Sequence, residues 1–422
     1  METNREMVNS GIPWIGEIPE GWGIDTIGNL YTLRTEKVSD KDYAPLSVTK
    51  MGIVPQLETA AKTDDGDNRK LVRVGDFAIN SRSDRRGSCG ISAYDGSVSL
   101  INLVLTPRGQ MYPRFYNWLF HTELFADEFY KWGHGIVDDL WTTRWQEMKR
   151  ISIVSPSYQE QQRIAEFLDK KCAEVDEMIA LQEQIIEELK AYKQSVITET
   201  VTKGLNPAAP MRDSGIEWIG QIPEHWEVRR IKFIGKAENG LTYTPNDVCD
   251  ESEGILVLRS SNIQNGKLAF DDNVYVRSVP DSLRVRVGDI IICSRNGSAS
   301  LVGKSALVDS EIDASFGAFM MRFRSNHNHK YIHFLLTATI SHYKQLFTTT
   351  TINQLTIGLI NNIAMPFVED ATEQQAITDY LDEKCADIDS LIQTKQSKID
   401  SLKEYKKSII YEYVTGKREL NE

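Results

Sequence analysis

No apolar stretch in the 422 residues approaches the ~20 that a helix needs to cross a bilayer. The opening METNREMVNS has neither the basic start nor the apolar stretch of a secretion signal, so a cytoplasmic protein without a membrane partner is expected. Cysteine is scarce: five, widely scattered and without a CxxC pair, which excludes a disulfide framework and a zinc site of paired thiolates. Catalytic signatures are missing as well. There is no G-x-S-x-G, H-E-x-x-H or G-x-G-x-x-G, and no Asp-Pro-Pro-Tyr or Asn-Pro-Pro-Phe type of amino-methyltransferase motif. The stretch Gly297 to Ser305, GSASLVGKS, has one residue too many between its glycines for a phosphate loop. His327, His329 and His333 lack Cys or carboxylate companions at ligand spacing and read as a surface cluster. An autonomous nuclease would need clustered metal-binding carboxylates, which the sequence does not offer. The chain is expected to catalyse nothing by itself and to bind no cofactor.

An excess of positive charge is also absent. The formal net charge of −12 argues against a phosphate-rich partner, because such binding is driven by basic surface and counterion release. The charge is unevenly placed, however: about −4 and −5 fall on two helical segments, while residues 22–157 are near neutral and 227–366 carry about +2. If a nucleic acid binds, it binds outside those helices.

What the sequence does have is itself, twice. SGIPWIGEIPEGW from Ser10 returns as SGIEWIGQIPEHW from Ser214, and EQQRIAEFLDKKCAEVD from Glu160 returns as EQQAITDYLDEKCADID from Glu373. A period of roughly 210 residues is far above that of solenoid repeats, so the repeated unit is a whole domain with its connector. Each half reads as a short aromatic opening, a mixed segment and one long helix. In the mixed segments Leu71 to Ser81, Val285 to Ser294, Ser99 to Thr106 and Phe319 to Phe323 are strand-like, while Pro113 to Lys131 and Lys330 to Leu346 show helical spacing. The four tryptophans of the two openings, Trp14, Trp22, Trp218 and Trp226, are expected to anchor cores.

The long segments carry heptad seams: Ile164, Leu168, Cys172, Val175, Ile179, Ile186, Leu189 and Val196, then Ile377, Leu381, Cys385, Ile388, Ile392, Ile399, Leu402 and Ile409 at a constant offset. Cys172 and Cys385 fit as small core residues. Each stripe must be buried, and the sequence-matched candidate is the other rod, packed antiparallel as a spacer of about 60 Å. The fold class expected is mixed α/β: two globular domains (1–157 and 214–368) and a coiled-coil pair (158–203 and 369–416) in a pseudo-twofold tandem repeat. A linker (204–213) joins the halves, and a tail (417–422) closes the chain.

The mixed segments share one block. LVRVGDFAINSRSDRRGSCGISA from Leu71 aligns without gaps onto RVRVGDIIICSRNGSASLVGKSA from Arg284, and in each a strand leaves through Ser-Arg into a polar loop. The loops offer Arg82, Ser83, Arg85 and Arg86 in one half and Arg295, Asn296, Ser298 and Lys304 in the other. Arg matches guanine edges or phosphates and Asn matches adenine. Loops that differ on agreeing flanks suit one scaffold reading two sequences. Lys50, Arg259, Ser261, Asn262, Asn353 and Gln354 are further candidates. The stretch from Trp226 to Val285 is about nine residues longer than its counterpart from Trp22 to Val72, so contacts there are not equivalent.

W-I-G-x-I-P-x-x-W, followed by E-Q-x-x-I-x-x-x-L-D at the head of a long helix, twice, with the Gly-Asp-strand-Ser-Arg block between, resembles the specificity subunit of type I restriction-modification enzymes from Ser10 to Gly416. The resemblance implies two target-recognition domains, each reading half of a split, asymmetric site on double-stranded DNA, held apart by the paired helices. It also implies two methyltransferase subunits carrying S-adenosylmethionine and two motor-nuclease subunits using ATP and Mg. Two other readings stay open: the specificity subunit of a combined methyltransferase-nuclease, and a coiled-coil scaffold that binds protein.

Overall fold

The computed structural model describes residues 6–58, 66–135, 141–347 and 353–420. They form two compact units, residues 1–183 with 396–422 and residues 184–395. This division cuts across the linear one, because each long helix gives one part to each unit.

In the first unit, β1 (Gly23–Thr26) pairs antiparallel with β6 (Ser152–Ser155) just before the long helix. The central sheet is antiparallel in the order β4 (Cys89–Ile91), β3 (Phe77–Asn80), β5 (Asn102–Pro107), β2 (Tyr31–Leu33). Every residue of β3 is buried, because the sheet is covered on both faces. With a side-chain period of two, Phe77 and Ile79 join α1 (Pro113–Phe120) through Phe115, Tyr116, Leu119 and Phe120, while Ala78 faces Val72, Val98 and Val104. Pro113 opens α1, and Thr122 caps α2 (Glu123–Lys131) by accepting from the Phe125 N–H, so the helical stretch from Pro113 to Lys131 is two helices rather than one. Helix α3 (Tyr158–Lys203) follows.

The second unit repeats the frame. β7 (Glu227–Arg230) pairs with β12 (Ala364–Phe367), and β10 (Ser305–Leu307), β9 (Ile290–Cys293), β11 (Met320–Ser325) and β8 (Gly235–Asn239) form a sheet of the same order and sense. One helix, α4 (His329–Phe347), packs on it through Tyr331, Leu335 and Leu336. In the longer stretch before β9, Ile255–Leu258 runs parallel to Ala314–Phe316, a pairing that the first unit has as the single parallel bridge Pro45–Ser97.

The motif Val-Gly-Asp interrupts the strand-like stretch Leu71 to Ser81, between Arg69–Val72 and β3, and delays the strand of Val285 to Ser294 until β9. Gly75 and Gly288 take φ of +88° and +94°, open to glycine at no steric cost. The buried Asp76 and Asp289 then accept from the backbone N–H of Arg73 and Arg286 at 2.9 and 2.8 Å. The duplicated aspartates recruit arginines from different places, Arg34 just past β2 beside Asp76 at 2.7 Å and Arg324 of β11 beside Asp289 at 2.5 Å. The linker is shorter than the sequence suggested, since Met211–Asp213 already forms a strand with Gln221–Pro223, as Met7–Asn9 does with Glu17–Pro19.

The opening motifs meet the helix starts. Trp22 and Trp226, both buried, donate their indole N–H to Glu160 and Glu373 at 3.0 Å in each case. The next residue is a buried glutamine in both copies. Gln161 donates to Pro156 O at 2.8 Å and accepts from Tyr112 N at 2.8 Å, and Gln374 does the same with Val368 O and Asn328 N at 2.8 and 3.2 Å. The repeated Glu-Gln is therefore a clip between the last strand, the helix and the domain.

The second long helix is α5 (Ala371–Val414). In the first unit Lys406 pairs with Asp176 at 2.6 Å while Phe167 packs on Tyr413, so residue numbers rise along one helix as they fall along the other. In the second unit Lys193 pairs with Asp389, and Gly204 lies beside Glu373, with the same antiparallel sense. Of the seam residues, Ile164, Leu168, Cys172, Val175, Ile186, Ile377, Leu381, Cys385, Ile388, Ile399, Leu402 and Ile409 are buried, and Ile179, Leu189, Val196 and Ile392 are half-buried. Past Lys193 the seam shifts by one, to the buried Ile197 and Val201, where α3 leaves its strict heptads to pack on the domain.

Candidate nucleic-acid interface

The strand exit through Ser-Arg is built the same way in both units. Ser81 N donates to Ile101 O at 3.3 Å and Ser294 N to Phe319 O at 2.9 Å. Thr143 N and Leu355 N donate back to Ser81 O and Ser294 O at 3.0 and 2.8 Å. Arg82 bridges to Thr142, and Arg295 to Gln354. Both arginines thus stand at the rim where a buried strand opens to solvent, the usual place for function.

In the second unit this rim borders a cleft of about 980 Å³, lined by Thr242, Tyr243, Arg259, Ser260, Ser261, Asp272, Arg295, Asn296, Phe319 and Asn353, among others. Six separate segments converge there, bringing together the sequence candidates Arg259, Ser261, Arg295, Asn296 and Asn353. Arg295 is exposed and lies over the Phe319 ring at 5.3 Å, which pre-orients its fork. Asn296 donates to Ser260 Oγ at 3.1 Å, and Asn353 to Gly297 O at 3.3 Å. Gln354 and Ser298 are exposed beside them.

Two candidates have structural work instead. Asn262 is fully buried and donates to Ala269 O, Asp272 O and Asn273 Oδ1 while accepting from Arg259 N, so it shapes the cleft wall without facing solvent. Lys304 donates to Ile263 O at 2.9 Å, and desolvation holds its ammonium below the usual lysine range. Arg259 is partly neutralised by Asp272 at 2.8 Å.

The first unit has a smaller cleft, about 330 Å³, lined by Lys70, Ser81, Arg82, Leu100, Ile101, Leu103, Thr142, Thr143 and Arg144. Of the loop candidates only Arg82 lines it. Arg86 is engaged by Asp127 on α2 and Arg85 lies near Asp84 at 3.6 Å, while Lys50 sits exposed at the turn of a separate hairpin, Leu46–Thr49 with Gly52–Pro55. Arg144 and Lys70 were not singled out in the sequence. Arg144 comes from a segment without a loop signature, and Lys70 donates to Asn102 O at 2.6 Å from inside a strand.

The linings carry three cations and no acid in the first unit, and two arginines against one aspartate in the second. In a chain of net charge −12, cation is concentrated where the clefts open. Among the described residues no group of His, Cys, Asp and Glu could hold a metal ion, and no helix is long and apolar enough to cross a membrane. His333, expected at the surface, is half-buried against Ser305 Oγ at 3.2 Å, and burial pushes its imidazole down to about 4.

Residues 223–404 match the family described as type I restriction modification DNA specificity domain. The chain is 29% identical over 211 residues to the type I restriction enzyme StySPI specificity subunit of Salmonella potsdam, and 28% identical over 212 residues to the EcoKI specificity subunit of Escherichia coli K12. Each alignment covers 47% of this chain and 44% of the relative, so the matched stretch spans less than half the length of either. A chain from a solved structure concerned with complex assembly and conformational transition of the type I R-M system shares the fold, with a TM-score of 0.71 at 15% identity over 94% of this chain and 99% of that one. The duplicated frame and its paired helices thus carry a second half similar to the type I restriction modification DNA specificity domain, and a fold shared with a chain of a type I R-M system.

Proposed function

We propose that this chain is the non-catalytic, sequence-reading subunit of a type I restriction-modification complex, with each unit holding one half of a split, asymmetric DNA site at its cleft. The observation that carries this reading is the pair of cation-bearing clefts, built on one duplicated frame and lined by different side chains. A shared frame positions the duplex and a differing lining distinguishes two sequences.

In this reading the helix pair sets the unread spacer and docks two methyltransferase subunits, with two motor-nuclease subunits joining them. Exposed apolar side chains on the helices support docking: Met178 and Tyr405 in the first unit, Leu391 and Tyr192 at the equivalent places in the second. S-adenosylmethionine, ATP and Mg belong to those partner subunits, which carry the chemistry.

The test is a methylome map of a methylation-free host expressing this chain with its neighbouring methyltransferase subunit, against that subunit alone. Adenine methylation at a split sequence, appearing only with the chain, is the expected result, and exchanging residues 23–157 should change one half of that sequence. A soluble complex that adds no methylation would instead favour a protein-binding scaffold.

A further inference from the structure

The internal duplication separates two kinds of contact that a single domain could not distinguish. Two units that read different half-sites must differ in the groups that touch base edges. They can agree in the groups that hold the sugar-phosphate backbone, which is the same in both halves.

Arg82 and Arg295 agree. They are the same residue type, follow the same serine, and have the same backbone placement through four corresponding pairs of contacts: Ser81 N to Ile101 O with Ser294 N to Phe319 O, Thr143 N to Ser81 O with Leu355 N to Ser294 O, the bridges Arg82–Thr142 and Arg295–Gln354, and Ser83 N to Trp141 O at 3.1 Å with Asn296 N to Asn353 O at 3.5 Å. Among the described residues neither arginine has a carboxylate in ion-pair reach, although Arg85, Arg86 and Arg259 around them do. A guanidinium left without an acidic partner at a cleft mouth is available to an anion.

The same frame shows which groups disagree. By the shared hydrogen bonds, Trp141 corresponds to Asn353, and Arg144 to Thr356. In the first unit Trp141 turns inward and donates to Tyr130 O at 2.7 Å, leaving Arg144 in the cleft lining. In the second, Asn353 lines the cleft and Thr356 caps a helix by accepting from Leu359 N. Each unit therefore adds to its common arginine a polar group of its own, from a different position of the same segment.

Resting on the DNA-reading function proposed above, we propose a division of labour. Arg82 and Arg295 are equivalent phosphate clamps that set the register of the duplex on each unit, and Arg144 and Asn353 are base-reading groups of the first and second half-sites. Arg144 suits the N7 and O6 acceptors of guanine, and Asn353 the N6 and N7 edge of adenine.

The experiment uses the full chain in complex with its methyltransferase subunits. Affinity is measured against salt for the site that the wild type methylates and for duplexes carrying single base-pair changes in either half. Arg82→Ala and Arg295→Ala should weaken binding by the same factor on matched and altered duplexes, make the log affinity against log salt slope shallower by about 0.9 each, and leave the methylated sequence unchanged. Arg82→Lys and Arg295→Lys should recover most of the loss, since a point charge serves a phosphate but not a bidentate guanine contact. Arg144→Ala and Asn353→Ala should instead lower discrimination at one position of one half-site by roughly tenfold or more, leaving the other half intact. An arginine-clamp variant that changes the preferred base, or that lysine fails to rescue at an unchanged salt slope, overturns the division while leaving DNA reading in place. A wild-type complex without any chain-dependent site overturns both, and the wild-type arm alone reports that.

Discussion

Lys193 Nζ lies 2.7 Å from both carboxylate oxygens of Asp389. The duplication repeats this pair as Lys406 on Asp176, with both distances 2.6 Å. A lysine on the apolar seam, answered by an aspartate of the opposing helix, fits only one antiparallel register. Polar seam residues of this kind specify alignment more than they stabilise it. Lys193→Asp should therefore destabilise the chain modestly, and adding Asp389→Lys should restore most of the loss. A double-mutant cycle in urea should give a coupling of about 0.5–1 kcal/mol, the upper range for part-exposed pairs. Zero coupling would show that the pair does not hold the register.

The clip between tryptophan and glutamate predicts an asymmetry. Trp226 is 1% exposed and Trp22 9%, so the indole N–H orphaned by Glu373→Ala is the more deeply desolvated. Glu373→Ala should cost about 1–3 kcal/mol and Glu160→Ala less, while the glutamine variants, which keep an acceptor, should stay near wild type. Chemical denaturation midpoints of the four variants would check this. Equal loss in all four would point to helix-terminal charge as the cause.

Each long helix ends at a glycine with left-handed φ, +72° at Gly204 and +71° at Gly416. A methyl group on Gly416 would overlap the Pro19 ring and come within 2.9 Å of Trp22 Cη2, whereas on Gly204 its nearest neighbour is Trp226 Cζ2 at 3.2 Å. Both alanine variants should lower the unfolding temperature. Gly416→Ala should lower it more, by an added steric cost of about 1–3 kcal/mol. Calorimetry that finds Gly204→Ala the worse of the two would contradict the packing around Trp22.

Burial lowers His333 to about 4, against about 6.5 in an unfolded chain. The unfolded state binds the proton first as pH falls. The neutral imidazole's contribution to stability is complete above about pH 6.5 and is lost on the way down to about 4. His333→Gln should flatten the fall of stability between pH 6.5 and 4.5 relative to wild type. Parallel curves for the two proteins would refute the assignment.

The long helices were legible because a 3.5-residue period without proline admits few other structures. The duplication was legible because it is written in residue identities. The turn that Val-Gly-Asp makes before β3 and β9 was not, since flanking apolar residues read as one strand until the left-handed glycine and the inward aspartate are seen. Asn262 shows the matching limit at the site: its neighbours resemble a polar surface loop, and only the fold reveals that its amide points inward. Arg144 was missed for the opposite reason, lying before a short helix with nothing in its neighbourhood to mark a cleft.

Local spacing and residue identity suffice for the repeat, for the antiparallel logic of two matched amphipathic rods and for the lack of catalytic motifs, so these are written in the chain before it folds. Which cations, among the described residues, are answered by a carboxylate, and which of several distant segments share a cleft, emerges only on folding. Ion pairing and cleft lining depend on side chains dozens of residues apart meeting within about 4 Å, and no local pattern encodes such a meeting.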